Sequence, residues 1–157
     1  MLLLTSAAFA APSWTVQVDP LTTALGFVHV QVERGLGDWS IYAGPHLRMF
    51  DGLLSEGPEP YRGYGVESGF RWYPRGEAPQ GPWLLARGVA AYATTVFGPP
   101  ATGFAGYGSA LGGWTAIVGE RWVLSGGLGA QYLAYGVAEY GIYGLAPAAH
   151  TAVGVAF

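Results

Sequence analysis

The imidazoles of His29, His46 and His150 are the side chains of this chain best suited to acid–base or metal chemistry, and there is no cysteine to assist them. Without cysteine, a thiolate metal centre, a disulfide framework and a thiol nucleophile are all excluded. Metal binding by the three histidines would require their nitrogens to converge within about 2.0–2.1 Å of one ion. No His-x-His or His-Glu-x-x-His spacing brings them together in sequence. They read as polar filling, with no metal and no cofactor implied. The charged residues are seven arginines, no lysine and ten acids, for a net charge of −3. Spread without runs, they offer no basic stripe to nucleic acid, which is excluded as a partner.

The elements that position these residues are strands, because apolar and polar side chains alternate with a period of two. In Tyr64–Trp72, Tyr64, Val66, Phe70 and Trp72 share one face, while Glu67 and Arg71 share the other. Trp14, Val16 and Val18 oppose Thr15, Gln17 and Asp19; Val28, Val30 and Val32 oppose His29, Gln31 and Glu33. Ile41, Ala43, Leu47 and Met49 oppose Ser40, Gly44, His46 and Arg48, and Leu124 and Leu128 oppose Ser125 and Gln131. At the end of the chain Val153, Val155 and Phe157 oppose His150 and Gly154. Segments 83–95 and 104–118 alternate poorly and are placed by their flanking turns.

Breaks marked by Gly, Pro or acids fall at 19–21, 34–38, 51–60, 74–81, 97–103, 119–121 and 137–145. Seven connections imply eight strands. No charge interrupts 88–119, but Pro99-Pro100 divides it into halves too short for spanning helices of about 20 residues. Strands of about 9–11 residues with an apolar-out, polar-in dyad suit a transmembrane barrel. With Gly at 26 residues and charged residues at only 11%, the composition is poor for a soluble surface. At 157 residues the chain is one domain: residues 1–10, ending on Ala8-Phe9-Ala10, read as a signal peptide, and 11–157 as the barrel. If the amino terminus is periplasmic, Trp14, Trp39, Trp72, Trp83, Trp114 and Trp122 all fall at the periplasmic rim as an aromatic girdle. Trp83 shares a face with Arg87, which a bulge would reconcile with that girdle.

The signal-like Ala8-Phe9-Ala10, the dyad strands and the terminal Thr151, Val153, Val155 and Phe157 together resemble the small eight-stranded outer-membrane barrels of Gram-negative bacteria, the class of OmpX and the OmpA transmembrane domain. The resemblance implies an all-β, eight-stranded antiparallel up-and-down transmembrane barrel with a filled polar lumen, located in the bacterial outer membrane. It implies Val153, Val155 and Phe157 as the signal read by the barrel assembly machinery, with periplasmic chaperones, outer-membrane lipids and lipopolysaccharide as further partners. A narrow eight-stranded lumen is filled by side chains rather than open as a porin. A polar network including Glu33, His46, Arg48, Glu67, Arg71 and Arg87 is its expected content, since buried charges must be paired. Hairpin arithmetic sets Glu67 nearly opposite Arg87, with His46 diagonal to Glu67 and Ser40 between Glu33 and Arg71. Glu56, Glu59 and Glu139 fall on outer loops, where solvated charge is expected.

The function expected is structural or interactive, not enzymatic. The first alternative is a lipid-modifying enzyme such as a lipid A deacylase, which needs a nucleophilic Ser beside a His oriented by a carboxylate. The His-x-Ser arrangement of those enzymes is absent: Thr151 and Ala152 follow His150, and Leu47 and Arg48 follow His46. The second is a secreted soluble barrel binding a hydrophobic ligand, which would turn its apolar face inward.

Overall fold

A computed structural model describes residues 12–49, 51, 53, 61–137 and 140–157. The Ala8-Phe9-Ala10 stretch and the loop acids Glu56, Glu59 and Glu139 lie outside the described residues. The strands are β1 (Trp14–Val18), β2 (Phe27–Leu36), β3 (Trp39–Arg48), β4 (Tyr61–Trp72), β5 (Gly81–Thr95), β6 (Thr102–Val118), β7 (Trp122–Val137) and β8 (Tyr140–Ala156), with one short helix α1 (Pro20–Ala24). Each strand pairs antiparallel with its neighbours in sequence, and β8 returns to β1, so the sheet is a closed eight-stranded barrel. No helix among the described residues is long and apolar enough to cross a membrane.

Closure explains the apolar chain end. β1 and β8 align Val16 with Val155 and Val18 with Val153. Past the last strand residue, Trp14 N donates to Phe157 O at 3.0 Å and Phe157 N to Trp14 O at 2.9 Å. The last residue of the chain thus completes the seam that abolishes the free sheet edge.

β1 is only five residues long, whereas β8 has seventeen. Above the seam, α1 stands where more of β1 would run. The 19–21 break is therefore a helix rather than a tight turn, and Asp19 accounts for it. Its carboxylate caps α1 by accepting from Thr22 N at 3.1 Å. The same group accepts from the Thr151 hydroxyl of β8 at 2.6 Å, which ties the helix to the wall. The break expected over 137–145 is also shorter, because β7 runs to Val137 and β8 begins at Tyr140. Gly141 and Gly144 are strand residues there, paired with Gly136 and Leu133. β5 and β6, which alternate poorly in sequence, pair continuously from Gly81–Thr115 to Thr94–Thr102. Their small residues serve both faces, so polarity does not reveal which is which.

The side chains are distributed inside out relative to a protein folded for water. Glu33, Glu67, Arg71 and Arg87 are buried in the lumen, while Val32, Ile41, Val66, Phe70, Leu84, Leu124 and Leu128 are exposed on the outer wall. The end that carries both termini bears outward Trp14, Trp39, Trp72, Trp114 and Trp122. Trp39 stacks on Phe70 and Trp72 with centroids 4.4 and 5.8 Å apart. A second outward band of Tyr64, Tyr92, Phe104, Tyr132 and Tyr143 lies toward the opposite, loop end.

Trp83 departs from the other five tryptophans. It is 2% exposed, its indole lies inside the lumen, and no bulge turns it out. The reason is the row in which it sits: Trp83 pairs with Gly113, Gly113 with Gly127, and Gly127 with His150. A Cβ at Gly113 or Gly127 would collide with the indole, so two glycines clear the space the ring fills. Its Nε1 donates to the Thr115 hydroxyl at 2.9 Å, which satisfies the one polar atom that burial would strand.

Candidate functional site

Among the described residues, the lumen holds two carboxylate-centred clusters, and a cavity lies beside the second. Near the terminal end, Glu33 of β2 is fully enclosed. Arg71 Nη1 lies 2.6 Å from Glu33 Oε2, and Gln17 Nε2 donates to the same oxygen at 2.7 Å. The other oxygen accepts from the Ser40 hydroxyl and, at 3.0 Å, from the Tyr73 hydroxyl. Tyr73 follows β4, where burial and the neighbouring Glu33 charge push its hydroxyl up to about 12, so it remains a donor. Arg71 continues to His150 Nε2 at 2.8 Å and lies 5.1 Å from the rings of both Tyr42 and Trp83. His150 Nδ1 lies 3.7 Å from Asp19, which links this cluster to the α1 cap. Apolar Tyr42, Tyr73, Trp83, Leu85, Leu111 and Ala148 pack around it. Four donors on one carboxylate make this a structural clamp, since burial of an ion pair is tolerated when every lone pair is used.

Glu67 of β4 centres the second cluster, one step toward the loop end. Its Oε1 accepts from Gln31 Nε2 at 2.9 Å and from the Tyr42 hydroxyl at 3.0 Å, with Arg87 Nη1 at 3.8 Å. Gln31 reaches from β2 to β4 because the intervening β3 presents Gly44, which has no side chain to block it; Gly44 is paired with Glu67. Oε2 lies 2.8 Å from His29 Nδ1, and the Tyr107 hydroxyl approaches the same oxygen at 3.5 Å. The His29–Glu67 contact is close without forming a hydrogen bond, so neither ring nitrogen of His29 has a hydrogen-bond partner. His46, directly across the strand pair from His29, packs against it at 4.4 Å between centroids with the rings tilted by 56°, and its Nδ1 also lacks a hydrogen-bond partner.

Above the second cluster lies a cavity of about 410 Å³ that reaches from His29, His46, Arg87 and Tyr107 to Leu21 of α1 and Leu25 at its C-cap. Arg48 lies at its upper wall, with its guanidinium 4.5 Å from the ring of Phe27 and 4.7 Å from that of Tyr61. Val89, Ala91, Ala93, Ala105 and Val137 form a separate apolar cluster on the β5–β7 side. Among the described residues no Ser or Thr hydroxyl donates to a histidine ring, and the buried hydroxyl of Ser109 receives instead a bond from Arg87 Nε at 3.2 Å.

Compared with family models, curated proteins and solved structures, the chain matches none. Its function must be argued from the barrel's own chemistry.

The residues singled out in sequence divide between these places. Glu33 and Arg71 are joined directly, and Ser40 lies between them, bonded to Glu33 and paired in register with Arg71. Glu67 and Arg87 are offset: Glu67 is paired with Val89 and Arg87 with Gly69, two residues from the opposed arrangement. His46 is diagonal to Glu67, with Gly65 as its direct partner. Val153 and Phe157 lie on the outer face of β8 and its end, with Val155 of the same parity. Ser125 and Gln131 are half-buried, against the deeper burial of Gln17, His29 and Gln31. Sequence reasoning missed Asp19 as the cap and Tyr42, Tyr73 and Tyr107 as lumen donors. Parity could have found Tyr42, two residues from Ser40 on the same face; nothing in the polarity of a Tyr separates a lumen donor from a girdle residue.

Proposed function

We propose that this protein is a small integral barrel of the bacterial outer membrane, closed rather than porin-like, with a structural or interaction role and no catalytic activity of its own. The observation that carries this reading is the pair of outward aromatic bands separated by an apolar wall. Trp72 and Tyr64 on β4 are eight residues apart, about 26 Å along a strand and about 20 Å after a tilt of about 40°. Trp122 and Tyr132 on β7 are ten residues apart, which gives about 33 Å along the strand and about 25 Å across. Those spans suit the apolar band of an outer-membrane barrel, about 25 Å tall. In water, an apolar patch of this extent would be an aggregation surface. The secreted-barrel reading fits the same side chains poorly, because it needs the apolar face inside.

The filled lumen supports a closed barrel. Trp83, Tyr42 and the Glu33–Arg71 clamp occupy its terminal half. The outward Val153, Val155 and Phe157 support the assembly-signal reading, in which the barrel assembly machinery recognises the strand that closes the barrel, and lipids and lipopolysaccharide contact the wall thereafter.

Membrane fractionation with heat-modifiable gel mobility tests this. The protein should remain with the outer-membrane fraction after carbonate extraction and migrate faster unheated than boiled, and the refolded barrel should conduct no ions in a planar bilayer. Recovery in the soluble fraction would overturn the membrane reading, and stable conductance the closed one. Deleting Phe157 should lower folded protein in outer membranes far more than refolding yield in detergent; equal losses would leave Phe157 as a packing residue alone.

A further inference from the structure

We propose that His29, His46 and Glu67 form a binding site for a divalent transition-metal ion of the Zn²⁺ type, with its open coordination positions facing the loop-end cavity. The site depends on the barrel and not on the membrane reading, so it stands or falls separately. Three strands place its donors: His29 and His46 are a directly opposed pair on β2 and β3, and Glu67 is diagonal to His46 on β4. One donor atom from each residue lies within 4.8 Å of the others. A tetrahedral ion with bonds of about 2.0–2.1 Å holds its donors about 3.3 Å apart, so small side-chain rotations would close the set.

The second observation is the state of the imidazoles. His29 and His46 are 1% and 2% exposed, yet both nitrogens of His29 and Nδ1 of His46 have no hydrogen-bond partner. Buried polar atoms are ordinarily paired, and an orphaned one calls for a missing partner. His150 differs at one nitrogen: its Nε2 is bonded to Arg71, although its Nδ1 also has no hydrogen-bond partner. His29 Nδ1 approaches Glu67 Oε2 to 2.8 Å without forming a hydrogen bond, so this nitrogen already lies beside the carboxylate oxygen that would share the ion.

Glu67 is arranged as a ligating carboxylate would be. Gln31 and Tyr42 hold Oε1 and fix the orientation of the group, while Oε2 faces the histidines. Outer hydrogen bonds of this kind orient ligands in established metal sites. Two imidazoles and one carboxylate with room beyond them is a donor set taken by Zn²⁺ and by non-haem Fe²⁺. The cavity touches His29 and His46 and supplies that room for water or a small anion. Arg87, 3.8 Å from Oε1, adds positive charge beside the ion, and a hydroxide or carboxylate at an open position would offset it.

The test uses the full chain refolded in detergent without a polyhistidine tag, stripped with chelator and titrated with Zn²⁺ alone, while ¹⁵N resonances of the imidazoles are recorded. The chain has three histidines, so each can be assigned. One equivalent should bind and shift the rings of His29 and His46 but not His150. Co²⁺ should give the visible bands of a low-coordinate nitrogen and oxygen site, lost on adding Zn²⁺. H46Q and E67Q, checked as folded by gel mobility, should each weaken binding at least about 100-fold, and Q31A about 10- to 100-fold. No saturable binding by the wild type, shifts confined to His150, or unchanged affinity in folded H46Q would each overturn the proposal. The wild-type resonances decide it even if the variants do not fold.

Discussion

The two buried carboxylates of the lumen are paired to different degrees. Glu33 is saturated by Arg71, Gln17, Ser40 and Tyr73, and the arginine is itself covered by the Tyr42 and Trp83 rings. Glu67, one step nearer the loop end, has Arg87 at 3.8 Å and shares its surroundings with imidazole nitrogens that have no hydrogen-bond partner. The apolar packing around Glu33 is continuous, whereas the neighbourhood of Glu67 opens on a cavity. Both sites meet the demand that a buried charge be compensated. Glu33 receives four donors including a direct cation contact, whereas the cation nearest Glu67 among the described residues stands off at 3.8 Å. The terminal half of the lumen is thus organised for stability, and the loop half retains the capacity to bind something.

The largest effect expected from this difference is at Arg71. Arg71→Met leaves Glu33 buried without its cation and should cost about 3–5 kcal/mol, read as a lowered urea midpoint of unfolding in lipid vesicles. Glu33→Gln in the same chain should recover part of that loss, because it removes the uncompensated charge and its carbonyl oxygen can still accept from Ser40 and Tyr73. An unchanged midpoint for Arg71→Met would mean that the clamp does not hold the barrel.

Parity was the most legible feature of the chain: where polar and apolar residues alternate, as in Tyr64–Trp72, the sequence shows which side chains share a face. Partners were less legible. A strand can slip by two residues without changing its faces, which is how Glu67 came to be expected opposite Arg87 when the register sets it opposite Val89. Trp83 shows a second limit. Its parity placed it inside, but a tryptophan at a barrel end also fits a girdle, and the choice lies in Gly113 and Gly127 on other strands. The loop-end aromatic band was legible only once the strands were extended into the expected 137–145 break, since Tyr143 lies within it. α1 is too short for any periodicity, and the pairing of His29 with His46 required the hairpin register.

An intermediate effect is expected at the glycines beneath the Trp83 indole. Gly127→Ala, whose added Cβ would meet the indole first, should overpack the terminal half and cost about 1–3 kcal/mol, measured by the same midpoint. Gly88, with nothing near the position of an added Cβ, supplies the control, and Gly88→Ala should be close to neutral. Equal losses at the two positions would show that the penalty arises from the strand and not from the indole.

A smaller effect is expected between Glu67 and Arg87. At 3.8 Å, with Gln31 and Tyr42 already bonded to the same oxygen, their coupling in a double-mutant cycle should lie toward the lower end of about 0.5–3 kcal/mol. The corresponding cycle at Glu33 and Arg71 should give the larger value. Reversal of that order would remove the distinction between clamp and site.

The smallest perturbation tests whether the two halves differ in access, with no change in stability required. Trp83 is enclosed by the wall, by Arg71 and by His150, whose ring centroid is 5.8 Å away, so neither lipid nor water should reach the indole. The outward Trp14, Trp39, Trp72, Trp114 and Trp122 should be quenched by brominated lipids at one depth, leaving a residual emission that Trp83→Phe abolishes. In that variant a tryptophan introduced by Tyr135→Trp, on the cavity wall, should be quenched by a water-soluble quencher added from outside. If the residual emission is itself quenched from the aqueous phase, water passes the Glu33 clamp and the terminal half is not closed. If Tyr135→Trp resists that quencher, the cavity is sealed from the outside solution, and a metal ion could enter only when the α1 and loop end opens.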